Sequence, residues 1–115
     1  MASNMTSKEL NKKLIVLLPE IKELYNEEVS WQEGDDTGSH VVFSDVLVPY
    51  ILNGTDDIKK RCFNAIESII LLNDDYVNEV ITLSVLEPII YENVDIEKYI
   101  GICTKKIYLE LKSDI

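Results

Sequence analysis

The stretch "SVLEPII", Ser84 to Ile90, sets a proline inside an apolar run with helical spacing. Proline is a poor fit in a helix interior: it has no N–H to donate, and its ring crowds the carbonyl four residues back. The same setting occurs upstream in "DVLVPYI", Asp45 to Ile51. With a shift of 39 residues, segments 39–60 and 78–99 share Val41/Val80, Val46/Val85, Leu47/Leu86, Pro49/Pro88, Ile51/Ile90, Asp56/Asp95 and Lys59/Lys98, seven of 22 positions. A further shift of two aligns Cys62 with Cys103 and Ile66 with Ile107, as two residues inserted in a turn would do. Each unit reads as helix, turn, helix. A period near 40 built of two helices is the signature of two-helix repeats.

Working outward, helical periodicity dominates. Thr6 and Glu9 form a capping box, in which hydroxyl and carboxylate each satisfy an orphan backbone N–H. From Leu10 through Leu14, Leu17, Leu18, Ile21, Leu24 and Tyr25 one apolar face continues, with Pro19 predicting a kink or a fresh helix start. The helical signal fades near Glu28, and "VSWQEGDDTGSH" reads as an exposed acidic loop holding Trp31. Ser39 is expected to cap a helix containing Val41, Val42, Phe43, Val46, Leu47 and Ile51, although "HVVFSDVLV" would also suit a strand. Thr55 or Asp56 is expected to cap the next helix, "NDD" at 73–75 the one after, and Asp95 the last, which carries Tyr99, Ile100, Cys103, Ile107 and Leu111.

The chain has 115 residues and 46% apolar side chains, so a single helical domain over 1–115 with its own core is expected. No apolar run of membrane-spanning length occurs, and the polar N-terminus has no signal-peptide character, so a cytoplasmic location is expected. Cys62 and Cys103 read as buried reduced thiols. The formal net charge of −10 is unevenly spread. Residues 27–57 carry eight acids and no Lys or Arg, and residues 62–97 carry eight more, again without a base. Such a surface repels nucleic acid and anionic lipid and attracts basic proteins.

Candidate chemistry is sparse. His40, the only histidine, has Asp35, Asp36 and Asp45 near it in sequence, which allows an Asp–His acid/base pair or a metal site; a locally hydrogen-bonded or solvated histidine is the plainer alternative. The Asp pairs at 56–57 and 74–75 fall where helix starts are expected, and capping explains them. No EF-hand, P-loop, GxGxxG or CxxC occurs, and no cofactor or metal is expected. Trp31 stands among Glu27, Glu28, Glu33, Asp35 and Asp36. Exposed, it would anchor a basic partner through area and cation–π contact while the acids steer association; folded back, it would pin the loop. The tyrosines are expected at core edges with their hydroxyls in water.

The repeated unit resembles HEAT-like helix pairs, with Pro49, Asp56 or Asp57 and Arg61 in the first copy and Pro88, Asp95 and Lys98 in the second. Through "LLPEIKELYNEE", "HVVFSDVLVPYI" and "NEVITLSVLEPII" the chain also resembles a family of small uncharacterised bacterial helical proteins. That resemblance implies a toxin-neutralising immunity protein. The fold expected is all-α: five or six helices, with two antiparallel hairpins in a short HEAT-like stack capped by N-terminal helices. The function expected is a non-enzymatic acidic module that binds a basic protein through Glu27, Glu28, Trp31, Glu33, Asp35 and Asp36. A small enzyme or metal protein using His40 and a self-associating helical scaffold are the alternatives, and the oligomeric state is left open.

Overall fold

The computed structural model describes residues 4–31 and 38–114. Among these residues there are six helices and no strand, so the fold is all-α. Helix α1 (Ser7–Leu17) starts at the expected capping box: Thr6 Oγ1 accepts from Glu9 N, and the Glu9 carboxylate accepts from Thr6 N. Pro19 opens a new element rather than kinking α1. A 3₁₀ turn, Pro19–Ile21, leads into α2 (Lys22–Trp31). The proline lies at the first helical position, where a missing N–H is harmless.

Helices α3 (residues 39–52) and α5 (residues 75–91) carry the two repeat prolines, and both solve the problem in the same way. Each begins α-helical and widens into a π-helical segment, Phe43–Leu47 in α3 and Ile81–Leu86 in α5. Each then returns to α-helix across the proline. The residue before each proline donates five residues back: Val48 N–H to Phe43 O, and Glu87 N–H to Thr82 O. One extra residue in the turn shifts the hydrogen-bond register, so the position without a donor falls where the ladder changes pitch. The prolines therefore neither end nor break the helices. The two π segments pack against each other, which pairs α3 with α5 along their length.

The second helices of the units, α4 (Asp56–Ile70) and α6 (Ile102–Asp114), also pack together. First helices thus lie beside first helices and second beside second. The shortest dimension, 23 Å, is about two helix diameters, as two layers require. Helix α1 closes one side against α3 and α4, and α2 lies on the π segment of α3. The core lies between the layers: Leu10, Leu14, Phe43, Leu47, Phe63, Ile66, Ile81 and Leu86 are fully buried. Burying one such side chain stabilises the fold by about 1.5–3 kcal/mol. Asn73 and Asn93 close α4 and α5 with φ of 55° and 58°, a left-handed conformation that asparagine tolerates better than most residues.

Three expectations about helix boundaries need correction. Ser39 does not cap α3. It is buried, and its hydroxyl donates to Asn11 Oδ1 at 2.8 Å and lies 3.1 Å from Ser7 O, tying α3 to α1. Helix α2 runs on to Trp31, past the point where the helical pattern fades. The last helix begins at Ile102, seven residues beyond Asp95. Asp95 instead accepts from Glu97 N in a local turn, and Tyr99 reaches back to donate to Asp56 Oδ1 at 2.5 Å.

The start of α6 is capped from outside its own sequence. Glu67, in the last turn of α4, accepts from Cys103 N at 3.0 Å, Thr104 N at 2.9 Å and Thr104 Oγ1 at 2.8 Å. Burial pushes this carboxyl up, but the bonds from Thr104 and Cys103 together outweigh burial and hold it below its ordinary value. Gly101 makes the approach possible, since a Cβ there would lie 2.5 Å from Glu67 Cδ. Expected caps at Thr55 and Asp74 are in place; Asp74 takes Tyr76 N and Val77 N and also accepts from Met5 N at 2.7 Å. Two further corrections concern the core. Tyr108 is buried rather than at an edge, and Cys103 is half-buried, while Cys62 is buried with its thiol pushed up to about 12 by burial.

Candidate functional site

His40 lies near the start of α3 and faces α5. Its Nδ1 is 2.5 Å from Ser84 Oγ, its Nε2 is 3.7 Å from Glu79 Oε2, and its ring meets Tyr76 edge to face at 5.9 Å. The aspartates expected beside it are not its partners. Asp45 accepts from Ser44 Oγ at 3.1 Å, while Asp35 and Asp36 lie outside the described residues. Serine, imidazole and carboxylate stand in a row, but Ser84 is buried within the π segment. The row bridges the two repeat-proline helices and continues the polar seam of Ser7, Asn11, Ser39 and Tyr76, in which Ser7 Oγ and Tyr76 Oη are 2.5 Å apart. Among the described residues no three His, Cys, Asp or Glu side chains gather as a metal site.

A groove of about 470 Å³ opens on the other side of α3. One wall is α2, with Leu24, Glu27 and Glu28. The other is the π segment and proline turn of α3, with Asp45, Val46, Pro49 and Tyr50. Asn53, Gly54 and Ile58 of α4 complete the lining. Leu24, Val46, Pro49 and Ile58 make the lining partly apolar, and among the described residues no Lys or Arg lines it. The neighbouring cation, Arg61, is held at 2.9 Å by Glu20, which also accepts from Tyr50 Oη at 3.5 Å. Burial, then the nearby Glu20 charge, raise the Tyr50 hydroxyl above its ordinary value.

Of the six side chains predicted to meet a partner, Glu27 and Glu28 thus stand on a groove wall. Trp31 is the last residue of α2, not part of a loop; its ring, like Glu33, Asp35 and Asp36, lies outside the described part of the structure. Asp45 was grouped with His40 on sequence distance alone, and its place across from Glu27 and Glu28 depends on how α2 packs on α3.

A family model described as a domain of unknown function, DUF7674, matches residues 11–114. The chain belongs to that family. No curated protein and no solved structure matches it. The DUF7674 match covers both proline helices, both second helices and both walls of the groove. It fits the expectation of a small uncharacterised helical protein. Among the described residues no helix of this DUF7674 chain is long and apolar enough to cross a membrane.

Proposed function

We propose that this DUF7674 chain is a non-enzymatic binding module whose partner is a basic protein. The observation that carries the reading is the groove between α2 and α3: Glu27, Glu28 and Asp45 line it together with apolar Leu24, Val46, Pro49 and Ile58, and among the described residues no Lys or Arg does. Carboxylates on both walls favour and steer a cationic surface, while the apolar part of the lining supplies the contact that charge alone lacks. The net charge of −10 extends the same field well beyond the groove. In its finer form the proposal is an immunity protein of a bacterium: the chain occludes the active site of a basic toxin, and the stack of two HEAT-like hairpins is the rigid frame for the acidic face.

The test is paired affinity capture from native cells, with wild-type bait and a Glu27→Lys, Glu28→Lys, Asp45→Lys bait. The proposal expects a basic protein on the wild-type bait that elutes as salt rises to about 0.3 M, where the Debye length drops to about 6 Å. It expects that protein to be absent from the reversed bait. Equal capture on both baits, insensitive to salt, contradicts the proposal.

A further inference from the structure

We infer that the outer faces of α5 and α6 are the two halves of a self-association contact: α5 of one copy lies on α6 of a second copy of this chain. The inference uses neither wall of the groove and stands apart from the binding-module reading. It starts from two exposed strips that match in pattern and oppose in charge. On α5, Leu83, Glu87 and Tyr91 follow at four-residue steps and cross the end of the π segment. A step of four overshoots one α turn and undershoots one π turn, so the three side chains stay on one face. Leu83 and Tyr91 are 47% and 64% exposed. On α6, Ile102 and Leu109 lie two turns apart and are 87% and 45% exposed. Lys105 and Lys106, both exposed, stand between them on the same face, three and four residues after Ile102.

Each strip thus reads apolar, charged, apolar. At 1.5 Å per residue the apolar ends are about 10.5 Å apart on α6 and about 12 Å apart on α5, so one strip covers the other in register. The charges between those ends are opposite. Helix α5 carries Asp75, Glu79 and Glu87 and no base, whereas α6 carries Lys105, Lys106 and Lys112 against Glu110 and Asp114. Among the described residues neither Glu87, Lys105 nor Lys106 takes part in an ion pair, so these charges are open to a second copy. Face to face, the strips close apolar ends over each other and set Glu87 against the two lysines, which fixes register as well as attraction. Both strips are exposed in the folded chain, so they do not meet within one copy. They are different surfaces on helices of different layers, and the contact is head to tail. The net charge of −10 disfavours indiscriminate self-association, and α6 is where that charge is locally reversed.

The experiment is sedimentation velocity of the full-length chain from micromolar to sub-millimolar concentration, with circular dichroism to confirm that each variant is folded. Wild type is expected to sediment faster as concentration rises. Glu87→Lys, and separately Lys105→Glu with Lys106→Glu, are each expected to weaken association at least about tenfold, because like charges then face each other across the contact. An equimolar mixture of those two variants is expected to regain association, since the reversed α5 strip of one fits the reversed α6 strip of the other. A Leu83→Ser, Ile102→Ser variant, changed only at exposed side chains, is expected to associate more weakly than wild type. Glu23→Lys, which reverses an exposed acid on α2, is expected to match wild type or exceed it. A wild-type chain that stays monomeric throughout the range overturns the inference. So does a mixture of the two reversed variants that associates no better than either alone.

Discussion

Replacing Glu67 by alanine should destabilise the fold far more than its position in the last turn of α4 suggests. In the structure its carboxylate takes two backbone N–H groups and a hydroxyl at the start of α6, at 3.0, 2.9 and 2.8 Å. The variant leaves both N–H groups without that acceptor. Loss of a capping side chain costs about 1 kcal/mol, and loss of a carboxylate from a helix N-terminus adds roughly 0.5–1 kcal/mol. The expected destabilisation is therefore about 2 kcal/mol at pH 7, or roughly 8 °C in Tm for a chain of this size. The pH dependence gives a second check. The folded-state value of Glu67 is depressed below its ordinary 4.5, so the unfolded chain takes up the proton first on acidification. The stabilisation is fully present above about pH 4.5 and disappears as pH falls through the folded value. Thermal melts followed by circular dichroism from pH 7 to pH 3 should show the gap between wild type and Glu67→Ala closing at the acid end. Glu67→Gln should sit between them at pH 7, since it keeps an acceptor and loses the charge. A Glu67→Ala protein as stable as wild type at pH 7, or a gap that does not change with acid, would refute the cap.

Three further predictions use the same geometry. Gly101→Ala should cost nearly as much as Glu67→Ala, because the new Cβ occupies the carboxylate's place, yet be close to neutral in a Glu67→Ala background; a urea double-mutant cycle reads that coupling, and additive losses contradict it. In the native protein at pH 8, Cys103 should react with a thiol reagent well before Cys62, whose thiol is pushed up to about 12 by burial. Glu67→Gln should speed Cys103 further, because the Glu67 hydrogen bond, more than burial, raises that thiol, and an unchanged rate contradicts this. Pro49→Ala and Pro88→Ala should each cost less than about 1 kcal/mol in urea unfolding, since the π segments already absorb the missing donor and the change acts mainly on the unfolded chain; a loss near 3 kcal/mol at either site contradicts it.

Much of the architecture was legible in the sequence because it is written in local rules. The Thr6–Glu9 box and the caps at Thr55 and Asp74 depend on residues within one turn of each other, and the two proline helices share a pattern that a shift of 39 residues exposes. The π segments were not legible, since apolar spacing alone does not separate a single wide turn from an α-helix. The start of α6 was misplaced for a related reason. Asp95 has the chemistry of a cap, but Asn93 takes a left-handed turn and Ile96 is drawn into the core, so the chain stays irregular until Glu67 supplies the cap from 36 residues upstream. A glutamate inside a helix gives no local sign of that role; Gly101 was the one hint. The site divides in the same way. Glu27 and Glu28 were visible as part of an acid-rich stretch without bases, whereas Asp45 joins them only once α2 has packed on the π segment of α3.

The most direct test of the central claim is the affinity of the purified chain for a basic protein captured by it, measured by calorimetry at 50 and 300 mM salt. Wild type and the Glu27→Gln, Glu28→Gln, Asp45→Asn variant are compared. The account predicts that wild-type affinity falls at least tenfold across that range, and that the variant starts about tenfold weaker and shows a flatter salt dependence. Identical affinities for the two proteins at both salt concentrations would contradict it.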